Sequence, residues 1–435
     1  MQINKYINPS QLNTKIFNFF NIGIFLLPSV PLIASLLILI ACFYNKSRIN
    51  KYLKDIWNLP FLISTLLIIL SCISNSLFRN DIYKDVVSID LIWFGLANWL
   101  PYFWIFWISQ KFSDNFKSRK KICFLLLSGS LPIIISGLLQ YFLKLHGPFI
   151  FINGLVTWYS RRIHPMDGMT GIFNNANYLG TWLNIVWPIS LVSLIENIKK
   201  PKRRLVSVLF VAGILICTIL TFSRNAWIGL LIGTLCIFGI KSIKLIAPFL
   251  ILIILPILMA LGFIPNERLI NVGQKIVPET ILHQFNSIGI QNLDSFPRIK
   301  IWSESINYIS IKPLLGWGAS SFPSLFKINN NSTFFGHTHN LPLELSLSFG
   351  IPVALIIITV ITLLIIRSKN IVFQKTFTKK YVSYDKAWWT STLLILSFHM
   401  FDLTYFDIRI GLTLWILLGG LKNIISEKSP FLDPK

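Results

Sequence analysis

The sequence predicts an all-α protein that crosses a membrane about eleven or twelve times. Three observations support this prediction. Hydrophobic residues make up 54% of the 435 residues and charged residues only 13%, which leaves too little polar surface to cover a water-soluble fold. Apolar runs of roughly twenty residues recur along the chain, as membrane-spanning helices require. Clusters of Lys and Arg separate alternate runs, which is typical of cytoplasmic loops.

The first apolar run, Ile16–Phe43, contains Pro28 and Pro31 near its centre. Because proline removes an intrahelical hydrogen bond and clashes with the preceding turn, this run is either one kinked span or a hairpin of two short helices. The choice decides between the two counts of spans. The other predicted spans are Leu59–Phe78, Leu91–Ile108, Ile122–Phe142, Asn177–Ile195, Leu205–Phe222, Ala226–Ile240, Leu245–Ile264, Leu341–Ile366, Trp388–Tyr405 and Ile408–Leu421.

Basic residues concentrate in loops that alternate with loops poor in Lys and Arg. Short cytoplasmic loops carry an excess of Lys and Arg, so the basic loops are predicted to face the cytoplasm and the others to be external. The net charge of +23 therefore predicts topology, and no nucleic-acid partner is expected. The basic residues are Lys46, Arg48, Lys51 and Lys54; Lys111, Lys117, Arg119, Lys120 and Lys121; Lys199, Lys200, Lys202, Arg203 and Arg204; Lys241 and Lys244; and Arg367, Lys369, Lys375, Lys379, Lys380 and Lys386.

This topology divides the chain into an N-terminal transmembrane bundle (1–264), a long external loop (265–338), and C-terminal transmembrane helices with a short cytoplasmic tail (339–435). Within the loop, Asp294 and Pro297 predict the start of a helix, and Pro313 and Gly316 predict its end. The helix is predicted to be amphipathic, with an apolar face formed by Ile299, Trp302, Ile306 and Ile309.

The sequence lacks the motifs that disulfide frameworks, metal sites and nucleotide-phosphate binding usually require. The five cysteines lie inside apolar segments, where packing is a more natural role than a disulfide or a metal site. The outer loops have no Asp-x-Asp pair, no ligand set at zinc spacing, and no glycine-rich loop followed by Lys and Ser or Thr. These features argue against ATP-driven work and metal-dependent hydrolysis.

Polar and basic side chains gather in the predicted external loops. Ionisable groups near a bilayer are costly, so they are retained where they line a cavity, pair with one another or bind a ligand. Several arginines around one cavity would suit a diphosphate, and a histidine could accept a proton from a hydroxyl group. The polar residues are Arg161, Arg162, His164, Asp167, Asn174, Asn175, Asn177, Ser223, Arg224, Arg298, His337 and His339.

These groups also have structural interpretations, which the sequence leaves open. Arg224 lies at a span boundary and could reach lipid head groups, as could Arg161 and Arg162. His337 and His339 could form a solvated pair or an opportunistic metal site. The asparagines before the span at residue 177 could cap its helix.

A second polar group lies near the end of the chain. His399 and Asp402 are three residues apart, which would place them on one face of a helix as a structural polar pair. Asp402, Asp407 and Arg409 could form an ion cluster at the membrane interface.

Four motifs follow one another between Thr170 and Ile366. They are Gly171–Asn177 before a span; Thr221–Arg224 with Trp227 and Gly229; Arg298 and Trp302 with Lys312–Gly318; and His339–Asn340 followed by Gly350. In this order, with a large external loop between the third and the fourth, they resemble the central motifs of the O-antigen ligase and polymerase superfamily.

The resemblance implies an inverting glycosyltransferase of the GT-C type, embedded in the bacterial inner membrane, with its long loop in the periplasm. It would move a glycan from an undecaprenyl diphosphate carrier to a hydroxyl of a lipid or glycan acceptor, without metal or other cofactor. By position, Arg224 and Arg298 would bind and neutralise the leaving diphosphate, and His339 would activate the acceptor hydroxyl. Membrane lipids would be further partners. Additional substrate contacts are expected from Arg161, Arg162, His337 and Asn177.

The chain departs from the family pattern after the histidine motif. Family members often have an acidic residue immediately before the glycine, whereas this chain has Ser348, Phe349 and Gly350, with Glu344 nearer to the histidine. This departure leaves the acceptor specificity open.

Anion transport is the alternative hypothesis. The same superfamily includes cyanobacterial-type members labelled as bicarbonate transporters, and the segment from His399 to Arg409 is similar to those. A cationic external cavity would suit either activity, but transport also needs a path to the inner face, where these spans are mostly apolar. Glycosyl transfer is therefore favoured, and a structural or lipid-binding protein without turnover remains a third possibility.

Overall fold

In the computed structural model, residues 9–44, 49–78, 87–164, 167–279, 281–282, 297–329, 335–374 and 382–427 are described. Their regular structure is almost entirely helical, which confirms the prediction of an all-α polytopic membrane protein. Seven described helical stretches are long and apolar enough to span a membrane: Leu59–Leu77, Ile89–Phe112, Phe116–Phe142, Ala176–Asn197, Pro201–Leu220, Ile351–Val372 and Ile408–Glu427.

The helices in chain order begin with α1 (Pro9–Leu26), α2 (Pro31–Tyr44), α3 (Ile49–Lys54), α4 (Leu59–Leu77), α5 (Ile89–Phe94), α6 (Leu100–Ile108), α7 (Phe116–Gly129) and α8 (Leu131–Phe142). Two short strands, β1 (Phe149–Phe151) and β2 (Val156–Trp158), form a small sheet. The next helices are α9 (Ala176–Asn197), α10 (Pro201–Leu220), α11 (Arg224–Phe238), α12 (Ile243–Ala260) and α13 (Glu267–Ile276). The last are α14 (Pro297–Ile311), α15 (Phe322–Asn329), α16 (Leu341–Phe349), α17 (Ile351–Val372), α18 (Val382–His399) and α19 (Ile408–Glu427).

The first apolar run forms a hairpin of two helices. The helices α1 and α2 pack against each other on either side of the turn that contains Pro28. Their approach is close, since a Cβ added to Gly23 would lie 2.7 Å from a side-chain carbon of Ile38. The hairpin interpretation, which gives the larger count of spans, is the one that the structure supports.

The run Leu341–Ile366, predicted as one span, is two helices that are separated at Gly350. This residue has φ 91°, a left-handed conformation that glycine adopts without a Cβ clash. The chain from Pro313 to Gly318 lies against the break: the backbone N–H of Ile351 donates to Pro313 O, and that of Gly318 donates to Ser348 O, each at 2.8 Å. The break therefore gives the motif at Lys312–Gly318 a structural role, because its backbone satisfies groups that the interrupted helix leaves free.

The predicted amphipathic helix of the long loop exists as α14, but its predicted apolar face is partly wrong. Ile299 and Ile306 are 42% and 56% exposed, whereas Ile301 and Tyr308 are buried. The buried side chains pack with Trp317 and Phe322 in one core cluster, so the segments after α14 decide which face is covered. Pro297 is the first helical residue as predicted, and Asp294 lies outside the described residues.

The chain forms two compact units. The first contains residues 1–131, 151–156 and 301–435, and the second contains residues 132–150 and 157–300. This division follows contacts, whereas the three-part division of the sequence follows topology, which stays a prediction. In the described chain, four cysteines are buried, the fifth is partly buried, and none forms a disulfide, consistent with packing roles.

One basic residue of a predicted cytoplasmic loop lies deep inside the first unit. Arg119, on α7, has no exposed side-chain surface. Its guanidinium donates to Asp385 Oδ1 at 2.7 Å and to Glu427 Oε1 at 2.6 Å. These ion pairs connect α7 to the start of α18 and the end of α19, a role that the count of loop charges could not indicate.

Candidate functional site

The second unit places two helix N-termini side by side. The helices α9 and α11 pack in parallel, because Gly180 lies against Ala226 near both starts, and Trp187 donates to Leu230 O further along at 3.1 Å. Asn175 caps α9 by accepting from the Asn177 N–H at 2.7 Å, which confirms the capping interpretation of this motif. Parallel N-termini present backbone N–H groups and partial positive charge at the same end, where they favour an anion.

A loop carrying Arg161 is fixed to this end of the unit. The buried Gln140 side chain accepts from the Thr170 N–H at 3.1 Å and donates to Arg161 O at 2.6 Å. Gly168 lies directly against the Thr221 carbonyl, where a Cβ would not fit. The loop is therefore held beside the turn that leads into α11.

Arg224 is the first residue of α11, and Arg298 is the second residue of α14. Both side chains are half-buried, and the positive charge of Arg298 acts on the Arg224 guanidinium. The fold therefore brings two predicted diphosphate ligands within electrostatic range. Arg161 is exposed and donates to Asn174 O at 3.2 Å, while Arg162 is exposed. Their contacts with phosphate stay predictions, as does the role of Asn177 in substrate binding.

The first unit contains a cluster of His337, His339 and Asp402. His339 Nδ1 lies 3.0 Å from Asp402 Oδ1, and His337 Nε2 lies 3.7 Å from the same oxygen. Only 4% of the Asp402 side chain is exposed, whereas 23% of the His339 side chain is. The carboxylate is thus shielded, while the imidazole that it contacts remains accessible. This arrangement leaves His339 Nε2 available to receive a proton from a hydroxyl group.

Hydrogen bonds and burial indicate which tautomer and which protonation state His337 adopts. The His339 backbone N–H donates to His337 Nδ1 at 3.2 Å, so the neutral His337 ring carries its proton on Nε2, facing Asp402. Burial, followed by the charge of His339, lowers the pKa of His337 to about 4, although Asp402 opposes this shift. His337 is therefore neutral near pH 7.

The cluster meets the distance requirement of a metal site, because its three ligand atoms lie within 4.8 Å of one another. Its hydrogen bonds fit a metal less well. The His337 nitrogen that faces the carboxylate carries a proton, and the His339 nitrogen beside Asp402 is placed to donate to it. A metal would need lone pairs at both nitrogens. The donor set is better suited to orienting an imidazole base.

The short loop before α16 holds this imidazole in a strained backbone conformation, with His339 at φ 54°. On one side, the buried Glu344 carboxylate accepts from the Thr338 N–H at 3.0 Å, and Trp302 donates to Thr338 O at 3.1 Å. On the other side, Asn340 caps α16 through the Leu343 N–H at 3.1 Å. Glu344 therefore anchors the loop that carries the histidine, a role that the departure from the family motif did not reveal.

The predicted pair of His399 and Asp402 on one helical face is wrong. The helix α18 ends at His399, so Asp402 lies in the following turn, where it contacts His339. His399 instead lies 3.1 Å from the Thr404 hydroxyl through Nε2. Within the predicted ion cluster, the side chains of Asp407 and Arg409 pair at 2.7 Å.

Comparison with protein families places these residues in context. The central part of the chain is similar to the O-antigen ligase family. The family model described as O-Antigen ligase matches residues 208–358, which include Arg224, Arg298 and His339, and this match supports the superfamily that the motifs predict. A comparison with curated proteins gives no match. Ligase- or polymerase-type function in the O-antigen family is thus supported in general terms.

The three predicted catalytic residues are divided between the compact units. Arg224 and Arg298 belong to the second unit, and His339 belongs to the first. Their convergence in one cavity stays a prediction. Asp402 is the residue that sequence reasoning missed as a partner of His339, because it lies far away in the sequence and was assigned to a helix.

Proposed function

We propose that this protein is a metal-independent inverting glycosyltransferase of the O-antigen ligase type. It transfers a glycan from undecaprenyl diphosphate to a hydroxyl of a lipid or glycan acceptor at the external face of the bacterial inner membrane. Catalysis requires Arg224, Arg298 and His339 to meet in one outward-facing cavity. The family match supports the general class of reaction, and the geometry of the described residues supports the specific roles.

The effect of the Arg298 charge on the half-buried Arg224 guanidinium is the observation that carries the proposal. These residues come from separate motifs, and each begins a helix whose N-terminus adds partial positive charge. Holding two guanidinium groups within range of each other opposes folding, and a bound dianion would offset this repulsion. A diphosphate has the charge and the oxygen geometry to accept forked hydrogen bonds from both.

The reaction proceeds as a single displacement. The acceptor oxygen forms a bond to the anomeric carbon, while the bond from that carbon to the phosphate oxygen breaks on the opposite face. The hydroxyl proton passes to His339 Nε2, and Asp402 stabilises the resulting imidazolium through Nδ1–H. Arg224 and Arg298 stabilise the charge that develops on the departing diphosphate, the electrostatic contribution that is often the largest in catalysis.

The test uses purified protein in vesicles with an undecaprenyl-diphosphate-linked oligosaccharide and a hydroxyl acceptor. We expect Arg224→Ala, Arg298→Ala and His339→Ala each to lower the transfer rate by about 10²-fold or more. Matched controls are Arg268→Ala and His146→Ala, two exposed residues elsewhere in the described chain, which should retain the rate. Wild-type transfer in all three site variants would refute the proposal. Protein-dependent uptake of labelled bicarbonate, without glycan transfer, would support the transporter instead.

A further inference from the structure

A groove of about 500 Å³ runs between α4 and α17 within the first unit. Apolar side chains from both helices line most of its length, among them Leu59 and Leu355, which are 50% and 60% exposed. Thr359 contributes one hydroxyl to the wall. An elongated and largely apolar groove on a membrane protein is a surface that a hydrocarbon chain can fill, because most of its wall has no polar group that would have to be hydrogen-bonded.

One end of the groove is cationic and aromatic. The Arg367 guanidinium carbon lies 5.3 Å from the centre of the Trp57 ring, and both residues line the groove. This contact positions the charge at the groove entrance. Within the described chain, no carboxylate forms an ion pair with Arg367. The nearby Asp55 is occupied, since its carboxylate pairs with Lys422 at 2.8 Å.

We propose that the groove binds an anionic phospholipid. One acyl chain lies between α4 and α17, and the phosphate contacts Arg367 beside the indole ring of Trp57. A basic residue at the end of an apolar groove between membrane-spanning helices matches both parts of such a lipid. Tryptophan is favoured at the same depth, where head groups meet hydrocarbon. The groove and its charge are independent of the proposed glycosyl transfer, and only the exclusion of a polyprenyl diphosphate rests on that proposed function.

The position of the Arg367 charge favours a phospholipid over a polyprenyl diphosphate as the occupant of the groove. Arg367 begins the basic loop that is predicted to be cytoplasmic, whereas the proposed diphosphate site is predicted to be external. A polyprenyl diphosphate in this groove would thus have its phosphates at the wrong face for the reaction.

Native mass spectrometry of the protein in bilayer discs that contain equal amounts of phosphatidylglycerol and phosphatidylethanolamine tests the head-group contact. We expect the wild type to retain phosphatidylglycerol preferentially. Arg367→Gln should lower its retention roughly fivefold, the effect of one basic residue on an anionic lipid. Lys369→Gln is the matched control, because Lys369 is exposed on the same helix but does not line the groove.

A second pair of variants tests the hydrocarbon contact. Thr359→Phe fills the groove and should release the retained lipid, whereas Thr362→Phe adds the same ring at an exposed position outside it. Equal retention of both lipids, or equal behaviour of the two threonine variants, would overturn the proposal. So would a copurified polyprenyl phosphate, or a dimer that only Thr359→Phe dissociates, because each would identify a different occupant.

Discussion

Arg119, in the first unit, and the pair Arg224 and Arg298, in the second, differ in the charges that surround their guanidinium groups. Arg119 is fully buried and is held by Asp385 and Glu427, so its charge is balanced within the fold. Arg224 and Arg298 are half-buried, and each adds to the positive charge around the other. The first arrangement connects helices and needs no ligand. The second concentrates positive charge at helix N-termini, where a bound anion would lower the free energy.

We expect structural arginines and arginines with the proposed catalytic role to differ in the charges around them. Both kinds are basic residues near the ends of apolar runs, so composition does not distinguish them. What differs among the charges described is that Arg119 meets two carboxylates, whereas Arg298 adds positive charge at Arg224. We therefore expect substitution of Arg119 to lower mainly the stability of the protein, and substitution of Arg224 or Arg298 to lower mainly the rate of glycan transfer.

The largest expected effect is on stability. Arg119→Ala leaves the buried Asp385 and the adjacent Glu427 without their cation, which should lower the free energy of unfolding by about 3–5 kcal/mol. Denaturant unfolding in detergent micelles measures this change. Lys117→Ala, which removes an exposed charge from the same helix, should change stability by less than about 0.5 kcal/mol. Similar stabilities for both variants would remove the structural half of the comparison.

The next effect is on turnover. Arg224→Ala should lower the glycan transfer rate by about 10²–10³-fold, because it removes a charge that stabilises the departing diphosphate, and it should lower stability less than Arg119→Ala does. Arg224→Lys should give an intermediate rate, since lysine keeps the charge but lacks the forked donors that fit a diphosphate. Rate and unfolding are measured on the same preparation. If Arg224→Ala unfolds as readily as Arg119→Ala, the distinction between the two groups fails.

A smaller effect should follow from the carboxylate behind His339. Asp402→Asn keeps the shape of the side chain but removes the charge that stabilises the imidazolium, so the transfer rate should fall by about 10²-fold. As a positioning residue, Asp402 should also affect the pH profile of the rate. Asp167→Asn, which changes an exposed carboxylate, is the control. An unchanged pH profile would show that Asp402 has no part in the acid–base chemistry.

The smallest effect concerns pH and stability. The pKa of His337 is about 4 in the folded protein, against 6.5 for a free histidine. Below pH 6.5 the unfolded chain therefore binds a proton that the folded chain does not. Stability should fall by about 2 kcal/mol between pH 7 and pH 4.5 through this residue. His337→Gln should reduce the pH dependence by that amount, and an equal loss in both proteins would contradict the burial argument.

Much of the fold could be predicted from local sequence. Apolar runs fix where helices form, because each buries its own backbone hydrogen bonds in the bilayer, and these predictions agree with α4, α9 and α10. The order of the motifs likewise identified the superfamily, since it depends only on residue types and spacing. Local sequence did not predict the helix boundary at Gly350, because the apolar run continues through it although the run contains two helices.

Only the tertiary structure decided which polar groups meet. Asp402 contacts His339 because α18 ends three residues earlier, and Arg119 meets its carboxylates because α7, α18 and α19 converge. Hydrophobic periodicity carries no information about such pairs, since the partners come from distant segments and the contact depends on how helices pack. The sequence by itself determined the helices, their apolar character and the superfamily that its motifs resemble. Packing determined which charges are balanced within the fold and which histidine has a carboxylate behind it.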